Sequence, residues 1–371
     1  MPYSLLSAVK HRISVGLGLP FNVYKQDATL LLARGQVLSS QAELDALLQR
    51  GALVDLADLQ SPCELIRLAS PEQLPAIWRQ SLQELGAALN ASSRPGFAQA
   101  LDDVTPAVLS LIERDRDLAI FQIIKATDKA SVQYGVRHAL HCAITSFLVA
   151  QRLGWSDSEA HKVFKVALTM DISILELQGQ MAEQTTPITP AQRAAVLSHP
   201  ERSEQILVLS GITDREWLLA VARHHETPDG TGYPKGCREP GDLATLVQRA
   251  DTYTAMLNPR HGRAAMAADR AGRMMFMQDG SHPMTAALVK EFGLYPPGCF
   301  VRLASGETGV VVKRGASVMT PIVAALSSPF GTSLAHPIRR DTAERGYCIH
   351  AVLGDHGQLE RLPSDALMTL A

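Results

Sequence analysis

The chain has 371 residues, of which 46% are hydrophobic and 5% aromatic, so its length predicts two or three domains. Its 35 basic and 37 acidic residues give a net charge of −2, which excludes a general positive field for DNA or a membrane surface. Five scattered cysteines without a C-x-x-C pair indicate reduced thiols, and the absence of a long apolar run or signal peptide predicts a soluble cytoplasmic protein without a membrane span.

Residues 1–60 are predicted to form a small α+β module. The stretch from Leu19 to Leu38 indicates two short strands around a polar turn at Lys25–Asp27. Ser40 and Glu43 then resemble a capping box that opens a helix.

The rest of the chain divides into helical and β-rich parts. Residues 61–119 are predicted to be a helical linker region, with the best candidate for a linker at Asn90 to Gly96. Residues 120–285 carry apolar side chains at three- and four-residue steps, which is typical of packed helices. Residues 286–371 contain β-branched runs such as CFVRL and TGVVVKR, so we expect a β-rich C-terminal domain and a mainly α protein overall.

Histidines and aspartates of the helical core indicate a metal site. Five of the histidines in this region are considered as candidates: His138, His141, His199, His224 and His225. Asp171 and Asp251 are acidic groups in mainly apolar helical stretches, and a buried aspartate needs a partner. Imidazole nitrogen with carboxylate oxygen suits Mn, Fe and Zn, although each residue alone also fits a hydrogen-bonded structural role.

One short stretch carries a resemblance to a known family. His224 to Gly236 reads HHETPDGTGYPKG and matches the HHExxDGxGYPxG signature of the HD-GYP family. This family is a bacterial branch of the HD metal-dependent phosphohydrolases, and its active members hydrolyse cyclic di-GMP. The resemblance extends over roughly residues 120 to 280 and implies an HD-type helical bundle.

The resemblance implies a set of metal ligands and a ligand-binding surface. In related sites, one metal is bound by the first histidine, the His-Asp pair and the last aspartate, and the other by the bridging aspartate and three later histidines. The implied metal ligands are His138, Asp171, His199, His224, His225 and Asp251, with Asp171 as the bridging, catalytic carboxylate. Cyclic di-GMP is expected to contact Gly232, Tyr233 and Pro234, and its phosphates to be held by Arg260 and Arg263.

The chain departs from the family at the His-Asp motif itself, because HDxGK reads MDISI at residues 170–174. Met170 offers a soft thioether that binds hard divalent ions poorly, and Ile174 removes a positive charge. We expect one tightly bound transition metal per chain rather than two, with Fe, Mn and Zn all left open. His141, three residues after His138, is an alternative ligand on the same helix face.

Two functions fit these residues. In the first, the protein is a catalytically impaired phosphodiesterase that acts by binding cyclic di-GMP, or by docking a signalling protein through the GYP loop, which is the part of the signature that follows the two histidines, Glu226 to Gly236. In the second, it is an active phosphodiesterase with an altered, mononuclear metal site. We prefer the first, because a two-metal hydrolase loses charge stabilisation when one ion and a lysine are removed. The sequence leaves the assembly state open, a homodimer included.

Overall fold

The computed structural model describes residues 3–59, 61–124, 134–258, 265–353 and Leu367, and it divides the chain into two compact units, residues 1–69 and 70–371. Within these described ranges, no helix is both long and apolar enough to cross a membrane. All five cysteines are free thiols. The mainly α fold with a small sheet toward each end of the chain agrees with the predicted fold class.

The first unit is a small α+β fold. Its elements are β1 (Tyr3–Leu5), a 3₁₀ helix (Leu6–Arg12), β2 (Val23–Tyr24), β3 (Leu30–Leu32), α1 (Gln41–Gln49), β4 (Leu53–Asp55), α2 (Leu56–Leu59) and α3 (Pro62–Leu68). The strands pair antiparallel in the order β1-β4-β2-β3. The predicted polar turn joins β2 to β3, where Lys25 N donates to Thr29 O at 2.8 Å. The predicted helix start is also confirmed, since Ser40 Oγ accepts from Glu43 N.

The second unit begins with a helical bundle. Its helices are α4 (Leu74–Asn90), α5 (Phe97–Arg114), α6 (Arg116–Ile124), α7 (Tyr134–Arg152), α8 (Asp157–Thr169), α9 (Leu175–Glu183), α10 (Pro190–Leu209), α11 (Arg215–Arg223), α12 (Asp242–Leu257), α13 (Ala268–Asp279) and α14 (Pro283–Phe292). The linker candidate at Asn90 to Gly96 is a turn between α4 and α5. These two helices pack against each other within one unit, so the segment does not separate compact units.

Helix α7 is the central helix of the bundle. Every residue from His138 to Ala150 is buried, which is expected of a helix surrounded by others on all faces. It packs against α8, α9, α12 and α14. At Gly135 a Cβ atom would lie 2.2 Å from the carbonyl oxygen of Leu175, so glycine permits the close approach of α9. This packing brings His138 into the interior of the bundle.

An antiparallel sheet follows the helices. Its elements are β5 (Phe300–Leu303), β6 (Thr308–Lys313), β7 (Ile322–Ser327), β8 (Ser333–Asp341), a 3₁₀ helix (Arg345–Tyr347) and β9 (Ile349–Leu353), in the strand order β8-β7-β6-β5-β9. The two runs predicted as strands are β5 and β6. Glu291 of α14 is 1% exposed and pairs with both Arg152 of α7 and Arg314, which follows β6. These ion pairs tie the sheet to the bundle.

Candidate metal centre

Three helices and two turns present the candidate ligands. A capping box of Ser156 and Glu159 starts α8, and the helix ends at Thr169, so Asp171 lies in the turn that leads to α9. Helix α11 ends just before His224 and His225. The remaining candidates lie within helices: His138 on α7, His199 on α10 and Asp251 on α12.

The first cluster contains Asp171, His199, His224 and His225, whose ligand atoms all lie within 4.8 Å of one another. Asp171 Oδ1 lies 3.0 Å from His199 Nε2 and 3.7 Å from His224 Nε2. Three of the four side chains are buried, and His225 is partly exposed. One carboxylate with three imidazoles is a ligand set that Mn, Fe and Zn accept.

The hydrogen bonds of two rings fix which nitrogen is free to bind a metal. His199 Nδ1 lies 2.6 Å from Val196 O, and His224 Nδ1 lies 2.7 Å from Val221 O. A carbonyl oxygen only accepts, so each Nδ1 carries a proton, and Nε2 is the nitrogen that faces Asp171 and the interior of the cluster. The two Nε2 atoms are 3.0 Å apart. Both Nε2 atoms also face Asp171 Oδ1, so these atoms surround a position that a proton or a metal cation can fill, and the residues fit a metal.

A backbone effect of Pro200 supports the orientation of His199. Pro200 has no N–H, and in a regular helix its N–H would bond to Val196 O, four residues earlier. That carbonyl is therefore left for the His199 ring. The proline that interrupts the hydrogen-bond ladder of α10 thus supplies the acceptor that orients the imidazole.

Charge states in this cluster suit metal binding. Burial acts to raise the pKa of Asp171, but hydrogen bonds with His199 and His224 outweigh it and hold this pKa well below its ordinary value. Burial, and then the neighbouring His224, lower the pKa of His225 to about 3. The carboxylate is thus ionised and His225 neutral, which are the forms that bind metals.

Two neighbours of the cluster were not predicted from the sequence. Gln178 Nε2 donates to Asp171 Oδ2 at 2.7 Å, and Gln178 Oε1 is buried without a hydrogen-bond partner in the part of the chain that is described. Ser173, which stands where the family motif has glycine, donates from Oγ to His199 O at 3.1 Å. No motif links Gln178 to Asp171, because only the turn between α8 and α9 brings them together.

The second cluster contains His138, Cys142 and Asp251. His138 Nε2 lies 2.8 Å from Asp251 Oδ1 and 3.6 Å from Cys142 Sγ. Although burial acts to lower it, the charge of Cys142 and the hydrogen bond with Asp251 raise the pKa of His138 well above its ordinary value. Cys142 was not predicted as a site residue; its i, i+4 spacing from His138 on one helix is the signal that could have found it.

His141, the alternative ligand considered from the sequence, belongs to neither metal-ligand group among the described residues. It is buried, and its Nδ1 has no hydrogen-bond partner there. Burial, followed by the charges of Arg137 and His138, lowers the pKa of His141 to about 3. The residue placed beside His138 and Asp251 is Cys142, one position further along α7.

The two clusters adjoin each other. The negative charge of Asp251 acts to raise the pKa of His225, and the negative charge of Asp171 acts to raise that of Asp251. The six predicted ligands therefore lie in two neighbouring groups. Met170 and Ile174, which replace the histidine and lysine of the family motif, are both buried, at 0% and 5% exposure.

The GYP loop is held against the first cluster by Glu226. This carboxylate is 2% exposed and accepts from Lys235 N at 2.7 Å and Cys237 N at 2.8 Å. A Cβ at Gly232 would lie 2.4 Å from His225 O, so the loop needs glycine there to fold back on the histidine pair. The Tyr233 ring then stacks on His225, with centroids 4.5 Å apart.

Not every predicted ligand-binding residue can be located. Tyr233 and Pro234, which are joined by a cis peptide bond, and Gly232 lie in this loop beside the first cluster. Arg260 and Arg263 lie outside the described residues.

The amino-acid sequence is similar to one protein family and to several characterised proteins. Residues 120–283 match the model of the HD domain family. The chain is 28% identical over 200 residues to cyclic di-GMP phosphodiesterase PA4108 of Pseudomonas aeruginosa, covering 53% of this chain and 48% of the relative. It is 32% identical over 177 residues to 3'3'-cGAMP-specific phosphodiesterase 3 of Vibrio cholerae, covering 45% of this chain and 37% of the relative. The chain thus spans about half or less of the length of these relatives.

Among solved structures, the chain is similar to Bd1817, an HD-GYP-type protein from Bdellovibrio bacteriovorus. The TM-score is 0.49 at 19% sequence identity, over 78% of this chain and 98% of the other.

Proposed function

Because residues 120–283 of this chain belong to the HD domain family in its HD-GYP form, we propose that the protein binds cyclic di-GMP and hydrolyses it slowly or not at all. The observation that carries this proposal is a contrast between the two clusters. Asp171, His199 and His224 are buried and oriented as complete metal ligands, whereas the neighbouring group has the apolar Met170 where the family has histidine.

The chain's own residues support binding better than hydrolysis. A metal ion at the first cluster would supply Lewis acidity toward a phosphate oxygen. Asp171 is held by His199 and by Gln178, so its orientation is fixed. Ile174 is apolar and cannot donate to a developing phosphate charge as the family's lysine does. Losing one such electrostatic donor typically lowers turnover on the order of 100-fold or more.

Recognition of the ligand is assigned to the GYP loop and to the basic segment that contains Arg260 and Arg263. Tyr233 is partly exposed and stacked on His225, so it offers an aromatic face beside the metal ligands. Arg260 and Arg263 are proposed to hold the phosphates through paired N–H donors.

An active phosphodiesterase with an altered, mononuclear site is the second candidate. The contact of 2.8 Å between His138 and Asp251 favours retained activity, because two more of the family's ligands lie together beside the first cluster. The two candidates differ in turnover and agree on the ligand.

The experiment uses the full chain loaded with Mn²⁺. Calorimetry measures binding of cyclic di-GMP and, because one relative is named for it, of 3'3'-cGAMP; chromatography of the same mixtures measures hydrolysis. Tight binding of cyclic di-GMP with little linear product supports the proposal. Rapid hydrolysis would favour the second candidate, and absence of binding to the loaded protein would overturn both.

A double variant tests the basic segment. Arg260→Ala with Arg263→Ala should weaken cyclic di-GMP binding while leaving metal content unchanged. The matched control is Arg270→Ala with Arg273→Ala, which removes two exposed arginines at the same spacing on α13. Unaltered binding in the first variant would remove Arg260 and Arg263 from the site.

Other features of the protein are proposed on sequence grounds. We propose that residues 1–60, 61–119, 120–285 and 286–371 are separate functional parts and that the protein works in the cytoplasm. A signalling partner at the GYP loop and a homodimer are further predictions, which sizing of the protein alone and with cyclic di-GMP would test.

A further inference from the structure

The two carboxylate oxygens of Asp171 have different partners. Oδ1 lies 3.0 Å from His199 Nε2 and 3.7 Å from His224 Nε2, whereas Oδ2 accepts a hydrogen bond of 2.7 Å from Gln178 Nε2. Asp171 is only 3% exposed, so solvent has little access to either oxygen. One oxygen therefore belongs to the first metal cluster, and the other is held by a side-chain amide.

The backbone after Asp171 brings Gln178 back to it. Ile174 N donates to Asp171 O at 2.8 Å, and Gln178 N donates to Ile174 O at 2.8 Å, so the start of α9 follows directly on the turn. Ile174 and Leu175 are both buried and anchor this end of the helix. The side chain of Gln178 then extends from α9 to the carboxylate.

The carboxylate determines which end of the Gln178 amide faces it. An ionised carboxylate only accepts hydrogen bonds, so the amide nitrogen faces Asp171 and the carbonyl oxygen points away. Gln178 Oε1 is buried and has no hydrogen-bond partner among the residues that the structure describes. The contact of the nitrogen with a charged acceptor is the stronger kind of hydrogen bond, and it is kept although the other end of the same amide is unpaired.

We propose that the Gln178 amide takes the place of a second metal ion at Asp171 and so limits this centre to one ion. A carboxylate that bridges two ions, roughly 3.5–4 Å apart, offers one oxygen to each. Gln178 occupies the oxygen that the second ion would need. This inference rests on the metal centre of the proposed function, and it adds a second cause for a single ion to the nitrogen ligand missing at Met170.

A second ion would have to displace the amide. Displacement would leave both ends of the Gln178 amide unpaired, because Oε1 already lacks a partner in the described ranges. His138 and Asp251 lie beside the first cluster and already pair with each other at 2.8 Å. Hydrogen-bond partners of metal ligands typically change metal affinity about 10–100-fold, and we expect the Gln178 donor to weaken binding of a second ion by that factor.

A plainer interpretation makes Gln178 a packing residue of α9 whose shape matters and whose N–H groups do not. Gln178→Met separates the two roles, because methionine has a similar length and volume but donates no hydrogen bond. Its thioether is also a poor ligand for Mn²⁺. The matched control is Gln180→Met, at an exposed glutamine of the same helix. A role in packing alone predicts that both variants bind metal like the wild type.

Manganese titration tests the inference. Metal-free full-length protein is titrated with MnCl₂, equilibrium dialysis counts the bound ions, and electron paramagnetic resonance distinguishes an isolated Mn²⁺ ion from two exchange-coupled neighbours. The wild type should bind one ion tightly and give the spectrum of an isolated ion. Gln178→Met should bind a second ion about 10–100-fold more tightly than the wild type does and give the coupled spectrum, whereas Gln180→Met should match the wild type.

Two results would overturn the inference and leave the metal centre standing: two tightly bound, coupled ions in the wild type, or unchanged affinity for a second ion in Gln178→Met. Circular dichroism checks folding, and Gln178→Ala repeats the test with a strong helix former where methionine is not tolerated. His224→Ala should lose the tight ion, which assigns that ion to the first cluster. A wild type that binds no Mn²⁺ would overturn the metal centre and this inference together. The expected Mn²⁺ results without cyclic di-GMP binding would count against the proposed function alone.

Discussion

His199 Nε2 and His224 Nε2 lie 3.0 Å apart, and the opposite nitrogen of each ring faces a backbone carbonyl. The carbonyls fix the orientation of both rings, so the two Nε2 atoms face each other beside the ionised Asp171. Such an arrangement is favourable around a cation, which is either a metal ion or a proton on one of the rings. Two backbone carbonyl groups therefore orient two candidate metal ligands.

Removal of the metal should destabilise the protein. We expect the cluster to bind the ion only in the folded chain, so saturation at 100 times the dissociation constant should stabilise the fold by about 2.7 kcal/mol. Thermal unfolding with Mn²⁺ and with EDTA measures the difference. His224→Ala should abolish the Mn²⁺-dependent part, and the control His336→Ala on β8 should retain it. An equal Mn²⁺ effect in both variants would show that the ion binds elsewhere.

Pro200→Ala should have opposite effects on metal affinity and on stability. The new N–H competes with the His199 ring for Val196 O, so the imidazole is less well oriented, and we expect metal affinity to fall about 10–100-fold. Alanine is also the better residue in a helix interior, so the metal-free protein should gain stability. Chelator competition and urea unfolding measure the two effects.

The control for this variant is Pro190→Ala, which changes the proline at the first turn of α10. Pro190 does not border a metal ligand, so its replacement should leave metal affinity unchanged. If Pro200→Ala binds metal as tightly as the wild type, the carbonyl of Val196 does not govern the ligand.

Parts of the site that depend on contiguous residues were predictable from the sequence. HHETPDGTGYPKG is a local signature, and it identified His224, His225 and Tyr233 together because the loop folds on itself. The strands β5 and β6 were predictable for a similar reason, since β-branched runs between turn residues act locally.

Other parts of the candidate metal centre depend on which faces of the helices pack against each other. His138 and Asp251 are 113 residues apart, and although Cys142 follows His138 by about one helical turn, only the packing of α7 on α12 brings Asp251 to this pair. Gln178 reaches Asp171 only because the turn between α8 and α9 brings the start of α9 back toward Asp171. Tertiary packing selects these partners, so the composition of each helix alone did not predict them.

Glu226→Gln should loosen the GYP loop while leaving both histidines in place. The buried carboxylate accepts hydrogen bonds from two backbone N–H groups, one at each oxygen. In glutamine, an NH2 group replaces one of these oxygens, so a side-chain donor would face a backbone donor. An unsatisfied buried group costs roughly 1–3 kcal/mol, so backbone amides of Lys235 and Cys237 should exchange hydrogen faster. The control Asp229→Asn alters an exposed carboxylate of the same loop. Unchanged exchange in Glu226→Gln would mean that Glu226 does not hold the loop.

The ion pair of Glu307 with Arg340 should make the C-terminal sheet sensitive to acid. Hydrogen bonds from Arg340 outweigh burial and hold the pKa of Glu307 below its ordinary value of 4.5. A lowered carboxylate pKa contributes stability above 4.5 that is lost as pH falls through the folded-state value. Glu307→Gln should cost roughly 1–3 kcal/mol at pH 7, and the difference from wild type should shrink in acid. Urea unfolding at several pH values measures the free energy of unfolding of the variant and of the wild type, with Glu344→Gln at an exposed position as control. If the difference between them does not change with pH, the ion pair of Glu307 with Arg340 is not its cause.

The double variant Met170→His with Ile174→Lys should raise hydrolysis of cyclic di-GMP. Met170 precedes Asp171 in the turn after α8, and Ile174 precedes α9, so the two changes restore a nitrogen ligand and a positive charge on either side of the candidate catalytic carboxylate. One electrostatic donor near a transferred phosphate is worth on the order of 100-fold in rate, so a turnover gain of that size is expected if the scaffold has kept its geometry. Linear product measured by chromatography gives turnover, and elemental analysis gives metal content.

The matched control is Met170→Gln with Ile174→Gln, which adds polarity without an imidazole or a charge. If both variants remain equally inactive while the histidine variant gains metal, the loss of these two side chains is not what limits hydrolysis, and Gln178 at Asp171 Oδ2 becomes the next residue to change.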